Sequence, residues 1–251
     1  IQRLRLTPKS TQGQEIVEWE MEFGNAQKQF SYEDQHRNLT TLITMTPGTQ
    51  DVMVTCSGTV DTHDFAGIIG RHAGHLPLWS FHGQTPLTRP GAGIRALARE
   101  FRKSDLPTLE TLHALSARVV ERVAYGTGAT GVGTTAEDAL AAGRGVCQDH
   151  AHIFIGTARA LGIPARYVSG YLMMNDRIEQ DATHAWAEAH VEDLGWVGFD
   201  VSNGISPDQR YVRLATGRDY RDAAPIAGIS TGSASEALSV SVAVEQKQVQ
   251  Q

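Results

Sequence analysis

Cysteine is scarce in this chain. Among 251 residues only Cys56 and Cys147 are cysteines. Two cysteines about 90 residues apart cannot form the dense disulfide framework of a small secreted domain. Cys56 lies in a β-branched stretch, so we expect it to be a small buried hydrophobic residue. The low count indicates a reducing compartment, and we predict a cytoplasmic location.

The chain also lacks long apolar runs and blocks of one charge sign. No run approaches the roughly 20 apolar residues that span a bilayer, and no cluster of lysine and arginine stands out in a chain of net charge −6. We therefore expect neither a membrane nor a nucleic acid as a partner. A hydrophobic content of 41% with 20% charged residues is typical of a soluble globular protein. The chain begins at Ile1 rather than at a methionine, from which we expect a trimmed or matured form.

Strand patterns dominate the first 85 residues. Turn residues separate three segments rich in β-branched and aromatic residues, namely Glu15–Phe23, Leu39–Met45 and Asp51–Val60. From Val17 onward every second residue of the first segment is apolar, which indicates a half-buried antiparallel strand. We therefore predict an N-terminal antiparallel β-sandwich domain over residues 1–85.

Helical patterns begin after residue 85. We predict helices over 94–103, 109–125 and 134–142, and a strong helix from Cys147 to about Leu161 that Gly162 and Pro164 end. Three strands are expected next, and a short alternating stretch near the end: Ala165–Met173, His184–Val191, Trp196–Val201 and Leu238–Val244. The predicted second domain covers residues 86–251. The fold class is α+β.

Cys147 is a candidate nucleophile because it opens a helix. A helix N-terminus carries partial positive charge and unpaired N–H groups, which favour a thiolate and can hold an oxyanion. Gly143 and Gly145 would let the backbone approach a substrate closely. Position alone leaves an alternative open, a buried cysteine that fills a gap at the helix start.

His184 and Asp200 supply the remaining parts of a cysteine mechanism. If the hairpin between them is centred near residue 192, Asp200 is the direct cross-strand neighbour of His184 on the same face. A slip of one residue would place Asp200 on the opposite face. A thiol, a histidine base and a carboxylate that orients the base are what a cysteine nucleophile needs.

Two other histidines compete with His184 for the role of base. His150 and His152 follow Cys147 on the same helix. A base usually approaches from a separate element, because a side chain on the same helix points away from the sulfur. We interpret His150 as a supporting residue and Asp149 as a partner of the helix dipole.

Three further patterns are less favoured. Residues 126–131 match G-x-G-x-x-G, but they follow a helical pattern, whereas a dinucleotide fingerprint needs a strand, a loop and a helix. Four histidines occur close together in the sequence, at His63, His72, His75 and His82. Their spacing resembles no tight metal-ligand pattern, so we predict no metal and no cofactor. Neither Ser57 nor Ser169 lies in a G-x-S-x-G elbow, which disfavours a serine hydrolase.

The motifs around the three candidate residues together resemble one family. The stretch 145–152, continued by 158–172, resembles the core of bacterial transglutaminase-like proteins, while 183–188 and 195–200 resemble that family's histidine and aspartate motifs. The segments 217–220 and 223–228 fit its predicted-cysteine-protease branch, and Leu4–Ser10 resembles the β-domain that precedes the core there. The family aspartate is often followed by proline, whereas Val201 stands at that position here.

The resemblance implies a papain-like core, in which the helix that bears Cys147 packs on an antiparallel sheet. It also implies Cys147 as nucleophile, His184 as general base and acid, and Asp200 orienting the imidazole. It also implies a calcium-independent protein. The implied reaction is acyl transfer from an amide bond of a protein or peptide through a thioester, with hydrolysis favoured. An amine-accepting transglutaminase and an inactive peptide-binding scaffold are the alternatives. We further expect substrate contacts from Trp186, Tyr167 and Gly145.

Overall fold

The computed structural model describes residues 1–102, 106–174, 179–180, 183–228 and 237–246. The strands are β1 Gln2–Thr7, β2 Gln14–Gly24, β3 Ala26–Glu33, β4 Leu39–Met45, β5 Met53–Thr62, β6 Ile68–Gly70, β7 Ala124–Tyr125, β8 Arg144–Gly145, β9 Ala165–Leu172, β10 Glu179–Gln180, β11 His184–Val191, β12 Gly195–Phe199, β13 Tyr211–Gly217, β14 Ile226–Gly228 and β15 Val242–Ala243. The α-helices are α1 Ala92–Phe101, α2 Thr108–Arg122, α3 Ala136–Ala142, α4 Cys147–Ala160 and α5 Tyr220–Ala223, with a 3-10 helix at Leu78–His82.

Two antiparallel sheets form the strand-rich N-terminal region. One sheet has the strand order β14–β1–β4–β3, and the other pairs β2 with β5. Alternate apolar side chains of the two sheets pack face to face, among them Leu4 and Ile43 from one sheet and Met21, Phe23 and Val54 from the other. The alternation of apolar and polar residues thus produces the predicted sandwich.

The prediction was wrong in one detail of β2. The pairing of β2 with β5 shifts register between Ile16 and Glu18, which is a β-bulge. Val17 was expected on the same face as Trp19, but the bulge turns Val17 outward, where its exposed fraction is 64%. Alternation resumes beyond the bulge, and Trp19 is half-buried.

The core is a five-stranded antiparallel sheet with α4 packed on one face. Its strand order is β13–β9–β11–β12–β6. The small residues Ala185, Ala187 and Ala189 of β11 and the apolar side of α4 belong to one buried cluster. On the far side of α4 lie α1, α2 and α3. The predicted fold class, an α+β chain with the Cys147 helix on an antiparallel sheet, is confirmed.

Helix and strand ends depart from the prediction where long-range pairing intervenes. The helix expected over 109–125 ends at Arg122, because Ala124–Tyr125 pair in parallel with Arg144–Gly145. Of the stretch Leu238–Val244, only Val242–Ala243 is a strand, paired with β10. The expected helix end at residue 103 lies outside the described residues. None of the helices described is long and apolar enough to cross a membrane.

The first 85 residues and the rest of the chain each contribute a strand to a sheet of the other part. Ile68–Gly70 pairs with β12 at the edge of the core sheet. In the other direction, Ile226–Gly228 pairs with β1 and extends the N-terminal sheet. The domain division at residue 85 stays a prediction.

Candidate active site

Cys147 is the first residue of α4 and is partly exposed. The turn before it is closed by Asp149, whose Oδ2 accepts hydrogen bonds from the Val146 backbone N–H at 2.8 Å and from the Thr130 hydroxyl at 2.6 Å. A Cβ at Gly145 would lie 2.7 Å from the Asp149 Cβ, so only glycine leaves room for this carboxylate. Asp149 and Gly145 thereby determine how the chain enters the helix at Cys147.

His184 links Cys147 to Asp200. It is the first residue of β11, and its Nε2 lies 2.6 Å from Asp200 Oδ2. The Cys147 side chain lies close enough to the ring to raise its pKa. Since Nε2 is used by Asp200, Nδ1 is the nitrogen left for the sulfur. Burial alone would lower the pKa of His184, but the hydrogen bonds and charges of Asp200 and Cys147 outweigh burial and raise this pKa to about 10. The ring therefore carries a proton at neutral pH.

Asp200 is fully buried and accepts several hydrogen bonds. Besides His184, its Oδ2 accepts from the Tyr211 hydroxyl and from Asn203 Nδ2, both at 2.7 Å. Its Oδ1 accepts from the Asn203 backbone N–H at 3.3 Å. Burial would raise the pKa of Asp200, but these hydrogen bonds and the charge of His184 outweigh burial and lower it. The carboxylate is therefore ionised and held in one orientation.

Sequence reasoning missed Tyr211 and Asn203. Asn203 follows Asp200 by three residues in a turn, and an asparagine at that spacing is a signal that could have been used. Tyr211 begins β13, on a different strand, and no local pattern connects it with Asp200.

The centre of the hairpin lies one residue later than predicted, which shifts every cross-strand partner by two residues. The turn comprises residues 192–194, with Asp193 at a φ of 69°, and His190 pairs with Trp196. The hairpin is therefore centred on residue 193 rather than 192, and extending the ladder beyond the pair Ala187–Phe199 places Asp200 opposite Trp186. A shift of two residues keeps the face unchanged, so His184 and Asp200 meet as diagonal neighbours.

The three residues predicted to contact substrate surround this group. Trp186 is 2% exposed, stacks on His184 with 6.3 Å between ring centroids and packs edge-on against Tyr211. Tyr167 is likewise buried, and after burial itself the charge of Cys147 is the next cause that raises its pKa. Gly145 is buried in β8, two residues before the thiol. Their contact with substrate stays a prediction.

His150 and His152 make hydrogen bonds that support the fold. His150 Nδ1 lies 2.9 Å from Ser202 Oγ, and its Nε2 lies 3.0 Å from the Val123 carbonyl oxygen. His152 Nε2 accepts a hydrogen bond from the Tyr220 backbone N–H at 3.1 Å. Burial lowers the pKa of both rings, that of His152 to about 3. Both are neutral at pH 7, unlike His184.

The histidines between residues 63 and 82 lie in different surroundings. His72 accepts a hydrogen bond from Trp196 Nε1 at 3.1 Å. His75 lies 3.2 Å from Glu33, and His63 is exposed beside Asp61. Across the described part of the chain, no group of three or more histidine, cysteine or acidic residues could hold a metal ion.

Two family models match this chain. Residues 95–201 match the Transglutaminase-like superfamily, and residues 1–61 match the Bacterial transglutaminase-like N-terminal region. Cys147, His184 and Asp200 all fall within the first match.

Known proteins are similar over most or half of the chain. One solved structure is that of a "putative cysteine protease" from Cytophaga hutchinsonii. The match covers 99% of this chain and 86% of the other, with a TM-score of 0.74 at 23% identity, and it shows the fold. An uncharacterized protein of Mycobacterium leprae is 29% identical over 254 residues, 96% of this chain and 90% of that protein. One from Mycobacterium tuberculosis is 40% identical over 149 residues, 55% of this chain and 48% of that protein.

Proposed function

Because this chain belongs to the bacterial transglutaminase-like proteins, with the superfamily's core and their N-terminal region, we propose that it catalyses acyl transfer from an amide bond through a thioester on Cys147. The observation that carries the proposal is the position of His184, which lies beside the Cys147 side chain and hydrogen-bonds the buried Asp200. A protonated imidazole beside a thiol at a helix N-terminus favours the thiolate.

In the proposed reaction, the Cys147 thiolate attacks the carbonyl carbon of the amide. The Cys147 backbone N–H has no partner among the described residues at the start of α4, and it donates to the oxyanion that forms. His184 gives its proton to the leaving amine, and the C–N bond breaks to leave a thioester. His184 then takes a proton from the incoming water or amine, which attacks the thioester and releases the thiolate. Asp200 holds the imidazole in the required orientation and stabilises its charge.

The acceptor that attacks the thioester determines which reaction the protein catalyses. Water gives a protease or amidase, and an amine gives a transglutaminase. We propose water and a protein or peptide substrate, because the sequence offers no second set of residues that would receive an amine. Mass spectrometry of products formed with and without added primary amine tests this choice. Free acid as the main product in the presence of amine supports hydrolysis, and an amide adduct supports transfer. The cytoplasmic location stays a prediction.

The activation of Cys147 is tested by alkylation with iodoacetamide between pH 6 and 7, read by peptide mass spectrometry. Burial raises the pKa of Cys56 to about 11, so Cys56 provides an unactivated thiol in the same molecule. We expect Cys147 to react at least about tenfold faster than Cys56. Cys56→Ser should keep the fast reaction. Equal, slow labelling of both thiols would favour the inactive scaffold.

The thioester is tested with a library of acyl and peptide probes. Adducts should form on Cys147, and Cys147→Ala should abolish both adduct and turnover while folding normally. Unchanged turnover by Cys147→Ala would refute the mechanism.

A further inference from the structure

A cavity of about 240 Å³ lies on the face of the core sheet opposite α4. The α4 side of the sheet carries Ala165 and Ala187. Because side chains alternate along a strand, Arg166 and Trp196 project to the other side, where they line the cavity. Residues of the N-terminal region, Lys9 and Arg37 among them, form the opposite wall.

The lining of this cavity is strongly basic. Among the described residues that line it are five cationic side chains and no carboxylate, although the whole chain has a net charge of −6. The cationic side chains are Lys9, Arg37, Arg71, Arg166 and Arg213. Two neighbouring carboxylates pair with four of them: Glu33 pairs with Lys9 and Arg37, and Glu188 pairs with Arg166 and Arg213. Five positive and two negative charges leave an excess of three positive charges.

Part of this excess is buried. Glu188 is fully buried and accepts from Arg166 Nε at 2.5 Å and from Arg213 Nε at 2.8 Å. This group of three side chains carries one net positive charge. An uncompensated charge away from water carries a free-energy cost in proteins. A bound anion would offset that cost.

Hydrogen-bond donors at the cavity are free to hold an anion. The Arg166 guanidinium lies over the Trp196 ring, 3.9 Å from its centroid, and among the described residues its terminal Nη nitrogens have no partner. Arg71 is exposed and likewise makes no hydrogen bond within the described ranges. Stacking keeps the guanidinium plane fixed, which favours planar, two-point recognition of an oxyanion.

His36 supplies a second, independent observation. Its side chain is 1% exposed, it lines the cavity, and its Nε2 lies 3.2 Å from Asp222 Oδ2. Its Nδ1 is buried and has no hydrogen-bond partner within the described part of the chain. Buried polar atoms usually have a hydrogen-bond partner in folded proteins, so Nδ1 is available to a ligand in the cavity.

We propose that this cavity binds a small oxyanion that carries about two negative charges, such as phosphate or the phosphoryl group of a small molecule. The volume lies below the roughly 300–1,000 Å³ of pockets for drug-sized ligands, so the ligand is small. Because Lys9 and Arg37 come from the N-terminal region and Arg166 and Arg213 from the core, the anion joins the two. The proposal does not depend on the proposed function.

Isothermal titration calorimetry of the full chain tests the site, with inorganic phosphate, sulfate and glycerol phosphate as probes at constant ionic strength. We expect saturable binding and a rise in melting temperature with ligand concentration. Arg71→Gln and Lys9→Gln should each weaken binding about fivefold or more, since each removes a charge-assisted contact. Arg99→Gln is the matched control, because Arg99 is an exposed arginine on α1, away from the cavity.

Each result of the titration either supports or overturns the proposed anion site. Similar affinities for phosphate and glycerol phosphate support recognition of the oxyanion alone, and tighter binding of glycerol phosphate supports recognition of a phosphorylated compound. Absence of saturable binding by all three probes overturns the proposal, and so does binding that Arg71→Gln and Lys9→Gln leave unchanged. Circular dichroism establishes that each variant is folded. If Arg71→Gln fails to fold, Lys9→Gln decides. Binding is measured without turnover, so the result stands whether or not Cys147 is active.

Discussion

At the scale of single residues, the site depends on how one carboxylate oxygen is used. Asp200 Oδ2 accepts from His184, Tyr211 and Asn203. Two of these donors do no chemistry in the proposed mechanism. They keep the oxygen pointed at His184 within a buried setting where an ionised group needs several partners.

Tyr211→Phe removes one of these donors while keeping the ring that packs on Trp186. We expect the rate of thioester formation to fall about tenfold, the equivalent of about 1.4 kcal/mol, which lies at the lower end for hydrogen bonds to charged groups. Single-turnover kinetics with an acyl probe measures the change. Tyr32→Phe, at an exposed position of β3, is the control and should leave the rate unchanged. An unaltered rate in Tyr211→Phe would rule out its positioning role.

The raised pKa of His184 predicts how stability depends on pH. The folded protein binds this proton more tightly than the unfolded chain, since the pKa rises from 6.5 to about 10. The stabilisation is fully present below pH 6.5 and is lost as pH rises through about 10. Urea unfolding at several pH values should therefore show a decline in the free energy of unfolding across this range, amounting to a few kcal/mol. His184→Gln should decline less. Parallel curves for the two proteins would contradict the ion pair.

At the scale of elements, β9 has no side chain at Gly170, where Trp186 packs. A Cβ there would lie 2.3 Å from the Val212 carbonyl oxygen and 2.4 Å from Trp186 Cη2. The indole that covers His184 can lie flat only because this position is glycine.

Gly170→Ala should therefore destabilise the fold by about 1–3 kcal/mol, the usual effect of overpacking, and should slow alkylation of Cys147 by displacing Trp186 from His184. Urea unfolding measures the loss of stability, and peptide mass spectrometry after treatment with iodoacetamide measures the rate of alkylation. Gly133→Ala is the matched control, since a Cβ at Gly133 meets nothing within 4 Å. Its free energy of unfolding should change by no more than about 0.5 kcal/mol. Equal effects of the two substitutions would remove the packing argument.

At the scale of the whole molecule, the N-terminal region and the core share a buried contact surface. Leu214 and Tyr171 from the core sheet pack in the same cluster as Leu4 and Ile43. β6 pairs with the core sheet and β14 pairs with the N-terminal sheet, and both pairings add backbone hydrogen bonds between the two parts. The sheet that carries His184 is therefore supported by the N-terminal strands on the side away from α4.

Asn38 is a single point at which this contact can be tested. Its side chain donates to the Thr216 carbonyl oxygen and accepts from the Thr216 N–H, both at 2.8 Å in a buried setting. Asn38→Ala leaves both backbone groups unpaired, at a cost of about 2–4 kcal/mol. Thermal unfolding should show a lower melting temperature. Gln29→Ala, which removes an exposed amide on β3, is the control. A melting temperature as high as that of Gln29→Ala would show that this contact does not hold the two parts together.

Local patterns predicted much of the fold and the centre of the site. Alternation along His184–Val191 and helical periodicity after Cys147 follow from burying one face of each element. The same parity argument places Asp200 on the face of His184, and it survives the error of two residues in the hairpin register. The sequence by itself thus determined the element types, the faces of the strands, and the order of thiol, imidazole and carboxylate.

Only the tertiary structure decided which distant residues meet. Tyr211 reaches Asp200 from another strand, β7 ends a helix early through its pairing with β8, and five cationic side chains from five separate segments converge on one cavity. These contacts depend on strand order and on the packing of sheets. Neither is encoded in the period of any single segment, because a period determines which face a residue occupies and leaves open what lies against that face.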